Sequence, residues 1–151
     1  MYLTPLQWRT RTVMPSADVD ALDVGEPGFL GSRIAFQQGK IEARLAKRYA
    51  TPFASPVPEI VLGWLTDLVT FDAYMKRGFN PAAEQDSEIK AAATTALEEV
   101  KEAAESKEGL FELPLREDMK GSSAIDRGGS FGYSEASPYT WTDRQREEVR
   151  R

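Results

Sequence analysis

The chain has 151 residues, 41% hydrophobic and 28% charged, with 19 lysines and arginines against 24 aspartates and glutamates and a formal net charge of −5. That length supports one domain with its own core, and the composition is that of a globular rather than a disordered chain. The absences exclude more: without cysteine there is no disulfide, thiolate nucleophile or sulfur-bound zinc, and without histidine the usual general base and commonest metal ligand are missing.

Residues 1–14, MYLTPLQWRTRTVM, predict a short first helix. Thr4 suits the N-cap and Pro5 the first helical position, while Leu6, Trp8 and Val13 are available to pack before Pro15 ends the segment. Arg9 and Arg11 interrupt any apolar run, so no signal peptide is read and synthesis and folding in the cytosol are expected. Ser16 reads as the cap of a second short helix to Val24, with Asp18 well placed against the helix dipole and Gly25 closing it.

A third helix is expected from Phe29 to Tyr49. Leu30, Ile34, Ile41, Leu45 and Tyr49 recur at helical spacing as a core stripe, with Gln37 and Gln38 on its flank. Beside it runs a basic stripe of Arg33, Lys40, Arg44, Lys47 and Arg48, which reads either as a solvated face or as a docking surface for an acidic partner. Gly39 weakens the helix by about 1 kcal/mol relative to alanine, as a close helix crossing would justify. The connector 51–58, TPFASPVP, holds three prolines, which makes it stiff and extended and brings Phe53 to the domain edge.

Residues 58–77, PEIVLGWLTDLVTFDAYMKR, form the central element. Ile60, Val61, Leu62, Trp64, Leu65, Leu68, Val69, Phe71, Tyr74 and Met75 cover most of a helix circumference, so this helix must be surrounded. It is long enough to cross a bilayer, but Glu59, Asp67 and Asp72 would each cost about 2.5–3.5 kcal/mol near the bilayer centre, and a soluble bundle is the better reading.

Gly78 closes the central helix, and Asn80 with Pro81 opens a fifth, running to about Lys107, with Asp86 as a later start. Ile89, Ala93, Ala96, Leu97, Val100 and Ala103 line its inner face, the alanines allowing close approach to the central helix. Its outer face is acidic, with Glu84, Glu88, Glu98, Glu102 and Glu105. Acids at a helix C-terminal end oppose the macrodipole, so Glu102, Glu105 and Glu108 point to a use beyond local stability. Gly109 reads as the cap, and in residues 110–115, LFELPL, Phe111, Leu113 and Leu115 alternate to one side like a short strand or extended arm.

From Arg116 the chain turns rich in glycine and serine and poor in aliphatic residues. By composition this reads as a disordered tail, but Phe131, Tyr133, Tyr139 and Trp141 are set into it with Arg144 beside them, which suits a segment that anchors itself on a partner. Residues 116–151 hold seven basic and seven acidic side chains, so the whole −5 belongs to the first 115 residues, with 12 basic and 17 acidic. The expected organisation is all-α: a bundle of four to five helices around the buried helix 58–77, a domain over 1–115, and an extended C-terminal arm over 116–151.

The succession of MYLTPLQW, IEARLAKRYATPF (41–53), PVPEIVLGWLTDLVTFDAYM (56–75) and a helix with Ala96, Leu97 and Val100 resembles the head-tail connector proteins of tailed bacteriophages, the adaptors or head-completion proteins of the Mu-like branch, over about residues 1–115. The resemblance implies a structural virion protein at the head-tail interface. Such adaptors form a closed ring, commonly dodecameric, between the portal protein and the next tail or head-closure protein. DNA passes through the ring without specific binding, and no cofactor, metal, catalytic residue or membrane is implied. Rings need two unlike surfaces on each copy, and Arg33, Lys40, Arg44 and Lys47 against Glu98, Glu102 and Glu105 are the expected pair. Portal or neighbour contacts then fall to Phe131, Tyr133, Tyr139, Trp141 and Arg144 of the arm. An acidic lumen would repel the phosphate backbone and let DNA slide.

Two other classes stay open. One is a regulatory module that binds a protein through the tail. The other is a carboxylate enzyme using Asp67 and Asp72 with a divalent cation such as Mg²⁺, although a five-residue separation sets them about 140° apart around a helix, poorly suited to one ion.

Overall fold

A computed structural model gives the architecture, and it describes residues 1–80, 82–106 and 109–117. Five helices follow one another: α1 (Pro5–Arg11), α2 (Ser16–Gly25), α3 (Phe29–Leu45), α4 (Glu59–Gly78) and α5 (Glu84–Glu105). The described residues form an all-α bundle, as the periodicity requires. Helix α4 packs against both α3 and α5, and α2 closes on α3 and α4 while α1 lies on α3. Both long neighbours run antiparallel to α4: Trp64 meets Glu99 while Tyr74 meets Gln85, and Asp72 meets Arg33 while Lys76 lies over the Phe29 ring.

Burial explains why α4 is central. Val61, Leu65, Val69, Ala73 and Tyr74 are fully enclosed, with Trp64 and Leu68 nearly so. Met75 is the exception among its apolar residues, 51% exposed in the last turn, where the flanking helices no longer cover it. Thr66 and Thr70 are buried instead, Thr66 by bonding its hydroxyl to the Leu62 carbonyl and Thr70 by meeting the Thr12 hydroxyl at 2.9 Å. Short hydroxyl side chains tolerate the interior because these bonds satisfy them.

Helix α1 starts as the sequence indicates. Thr4 and Gln7 form a reciprocal capping box with Pro5 in the first turn. Its packing is narrower than expected, since Leu6 and Val13 are exposed and Trp8 alone is buried from the helix, flanked by buried Leu3 and Met14. Seven residues make barely two turns, enough for one inward side chain. Helix α2 departs at its start: Ser16 is its first residue and Pro15 its cap, with no side-chain bond to the backbone.

In α3 the stripe Leu30, Ile34, Ile41, Leu45 is buried as read, but Gln37 belongs to it and not to its flank. The helix stops at Leu45, four residues earlier than expected. The chain turns so that Tyr49 can form an isolated antiparallel bridge with Leu115. Its enclosed hydroxyl donates to the Ala103 carbonyl at 3.0 Å and accepts from the Leu110 N–H at 2.7 Å, tying α5 to the turn behind it. Gly39 marks no crossing: it is exposed and nothing lies within 4 Å of where a Cβ would stand.

The proline connector places Phe53 in the core edge, its ring 5.9 Å from that of Tyr2 and its N–H donating to the Tyr2 hydroxyl at 2.6 Å. Helix α5 begins at Glu84 on an Ala83 cap, not at Asn80. The Asn80 side chain instead accepts from the Ala82 N–H, and its own N–H donates to buried Asp86. Pro81 lies outside the described residues. Helix α5 ends at Glu105 with Ser106 as its cap, so left-handed Gly109 (φ 76°) serves the following loop instead of the helix. A Cβ there would meet Arg48 Nε at 2.9 Å, which reserves the position for glycine.

The expected strand over 110–115 is a turn. Leu113 donates its N–H to the Leu110 carbonyl, the alternation breaks, and Phe111 is fully exposed while Leu113 is buried. Arg116 stays with the helical body, its N–H on the Arg48 carbonyl and its guanidinium on the Ala46 carbonyl.

Candidate interaction surfaces

The charged side chains sort into two sets. Arg9 pairs with Asp20, Arg11 with Glu59, Arg33 with Asp72, Lys76 with Glu26, and Arg77 with Asp18, with Asp86 at 3.8 Å. These pairs join α1, α2, α3 and α4 to one another. Arg33 is thus engaged inside its own subunit, its Nε 3.0 Å and its Nη2 2.8 Å from Asp72, and is set apart from the rest of the basic stripe.

Lys40, Arg44 and Lys47 form the second set. They are exposed, Lys40 and Arg44 on α3 and Lys47 just past its end, and no carboxylate among the described residues pairs with them. Half-exposed Phe36 stands at the upper end of this face, with the Arg33 guanidinium 4.8 Å and the Lys40 ammonium 5.5 Å from its ring centre.

The acidic residues of α5 divide in the same way between two surfaces. Glu98, Glu102 and Glu105 share a shallow depression with Lys101 and Ser106. Glu105 and Lys101 also line a groove with Arg44 and Lys47. The expected basic and acidic faces are therefore neighbours on one broad surface, where α3 and α5 lie side by side, and not opposite flanks of the bundle.

On the other side of α5, against α4, lies a cleft of about 250 Å³ lined by Thr66, Asp67, Thr70, Gln85, Glu88, Ile89 and Ala92, with Arg11, Thr12 and Val13 at its α1 rim. Nearby, Trp64 Nε1 donates to Glu99 Oε2 at 2.6 Å, which fixes one carboxylate between the two helices. Burial, and then the Glu99 charge, push the Asp67 carboxyl above its ordinary pKa. Spacing along the chain did not reveal this cleft, because it depends on the register of α4 against α5. The two acids of the enzyme reading face different partners: Asp72 turns to α3 and Asp67 to α5. Among the described residues no three acidic side chains converge on a point that could hold a metal ion, and no helix is long and apolar enough to cross a membrane.

The family described as Bacteriophage Mu, Gp36 matches residues 6–124, most of the chain. The chain belongs to that family. It is accordingly a Mu-like bacteriophage protein of the structural or morphogenesis kind. Comparison with curated proteins and with solved structures gave no match. The Gp36 match ends before Phe131, Tyr133, Tyr139, Trp141 and Arg144, which also lie outside the described residues.

The Asp67 environment makes a prediction for this Gp36 family member. A carboxyl whose folded-state pKa is raised favours folding fully below the ordinary aspartate range, and that contribution is lost as pH rises through the raised value. Asp67→Asn is expected to keep or raise the thermal midpoint at neutral pH and to flatten its pH dependence just above that range. Calorimetry across pH checks this, and a clear drop in the midpoint at neutral pH would mean that the carboxylate makes a stabilising contact.

Proposed function

We propose that this Gp36 family member is a non-catalytic virion protein that forms an adaptor ring between the portal vertex and the tail or head-completion proteins, with DNA passing through the ring. The observation that carries this reading is the distribution of charge. Ion pairs join the helices of the body to one another, while Lys40 and Arg44 on α3, Lys47 just past its end, and Glu98, Glu102 and Glu105 on α5 have no ion-pair partner among the described residues. Unlike charged faces on one rigid bundle are what head-to-tail assembly of identical copies uses. The same acidic surfaces would repel DNA phosphates, as a conduit requires and a grip does not.

In this reading the aromatic segment around Phe131, Tyr133, Tyr139 and Trp141, with Arg144, fastens the ring to the portal protein or a neighbour. Deleting Gly121–Arg151 is expected to leave the helical circular-dichroism signal and thermal midpoint of the body in place while the protein disappears from purified particles. Truncated protein recovered in particles at wild-type amounts would rule out the segment as the fastening.

A further inference from the structure

Two surfaces on this chain complement each other and cannot meet within one copy. The basic face of α3, continued into the turn after it, has Lys40, Arg44 and Lys47 without a carboxylate partner among the described residues. The cleft between α4 and α5 has Asp67 and Glu88 in its wall, and the one cation lining it among the described residues, Arg11, is already held by both oxygens of Glu59. Arg44 borders α5 at Ala104 and Glu105, whereas the cleft borders it at Gln85, Glu88, Ile89 and Ala92. At 1.5 Å per residue these stations are roughly 24 Å apart along the helix, on different sides of it.

We propose that the α4–α5 cleft receives the basic face of α3 from a second copy of this chain, repeated head to tail around the ring. This rests on the ring reading above and assigns its interface. The occupant follows from charge and shape. The cleft walls are largely apolar, with Val13, Ile89, Ala92 and the threonines, and each helix adds one carboxylate, Asp67 from α4 and Glu88 from α5. A lysine or arginine, with its aliphatic stem and cationic tip, matches that division. Asp67 is the acid that gains most, because its ionised form is disfavoured by burial and by Glu99, and the opposite charge of an incoming cation favours it.

The outer acids of α5 fit this role less well. Glu102 and Glu105 lie on the same broad surface as Arg44 and Lys47. A basic strip beside an acidic strip on one face is complementary to itself across a two-fold axis, which closes at two copies. Donor and acceptor on different sides of α5 propagate instead.

The chain has no cysteine, so site-directed cross-linking tests the contact cleanly. Full-length protein carrying Arg44→Cys and Asp67→Cys, treated with a short bismaleimide, is expected to give a ladder of covalent multimers, while each single variant alone gives none. A mixture of the two single variants should yield cross-linked dimers only. If Arg44→Cys with Glu102→Cys gives the ladder and the Asp67 pair does not, the cleft assignment is overturned while the ring reading stands. If Arg44→Cys alone cross-links to itself, the contact is two-fold and the head-to-tail interface is overturned. Wild-type protein that stays monomeric by native mass spectrometry at high concentration, with no ladder from either pair, removes the self-contact altogether.

Discussion

Truncating Trp8 to alanine is expected to destabilise the fold by about 3–5 kcal/mol, read as a lowered urea midpoint with an unchanged slope. Trp8 is fully enclosed and is the one side chain by which α1 enters the core. The other contacts of α1 and its cap with the remaining helices are polar: the Arg9–Asp20 and Arg11–Glu59 pairs and the Thr12–Thr70 hydroxyl contact. These cannot replace a large apolar anchor, since exposed ion pairs contribute about 0–1 kcal/mol. Against a total stability of about 5–15 kcal/mol, the loss is a large fraction. Trp8→Phe should cost far less, because the indole Nε1 is buried without a hydrogen-bond partner, and removing it relieves an unsatisfied donor while most of the ring volume remains. A Trp8→Ala protein with the wild-type midpoint would show that α1 does not depend on this contact.

Removing the Asp72 carboxylate is the second change with a large expected effect, about 2–4 kcal/mol for Asp72→Ala. One oxygen of Asp72 receives Arg33 Nε at 3.0 Å, Arg33 Nη2 at 2.8 Å and Gln37 Nε2 at 2.7 Å. Gln37 is 4% exposed and its Oε1 already has no partner, so losing Asp72 leaves both ends of a buried amide unsatisfied. Arg33, about a third exposed, can turn to water and contributes less to the cost. Asp72→Ala and Asp67→Asn therefore form a contrast on one helix: the first is expected to lower the thermal midpoint by several degrees, the second to leave it level or higher. Equal losses from both would mean that Asp67 also has a stabilising partner.

How far the sequence was legible depended on whether a feature was local. The capping box of Thr4 and Gln7, the core stripe from Leu30 to Leu45, the burial of most apolar side chains of α4 and the alanine face of α5 follow from spacing along one segment, and each is present. The strand expected over 110–115 failed because alternation of apolar residues describes a strand only if another strand pairs with it. Here a single bridge to Tyr49 is all that forms among the described residues, and the Leu110–Leu113 turn takes the rest. Gln37 was misjudged because an amide on a core stripe looks like a flank until its partner, Asp72, is brought in from another helix.

The sequence by itself determined which segments are helical, which faces are apolar, and which chemistries are excluded, because these depend on periodicity and on the residue types present. Only the tertiary structure decided which charges are spent and which remain. Arg33 and Lys40 look alike in one stripe, yet the crossing of α3 over α4 gives the first a carboxylate and the second none. The register of α4 against α5 likewise sets Asp67 beside Glu99 and opens the cleft between the two helices. Electrostatic partnership acts through space over a few ångströms, and helix packing alone sets which side chains come that close.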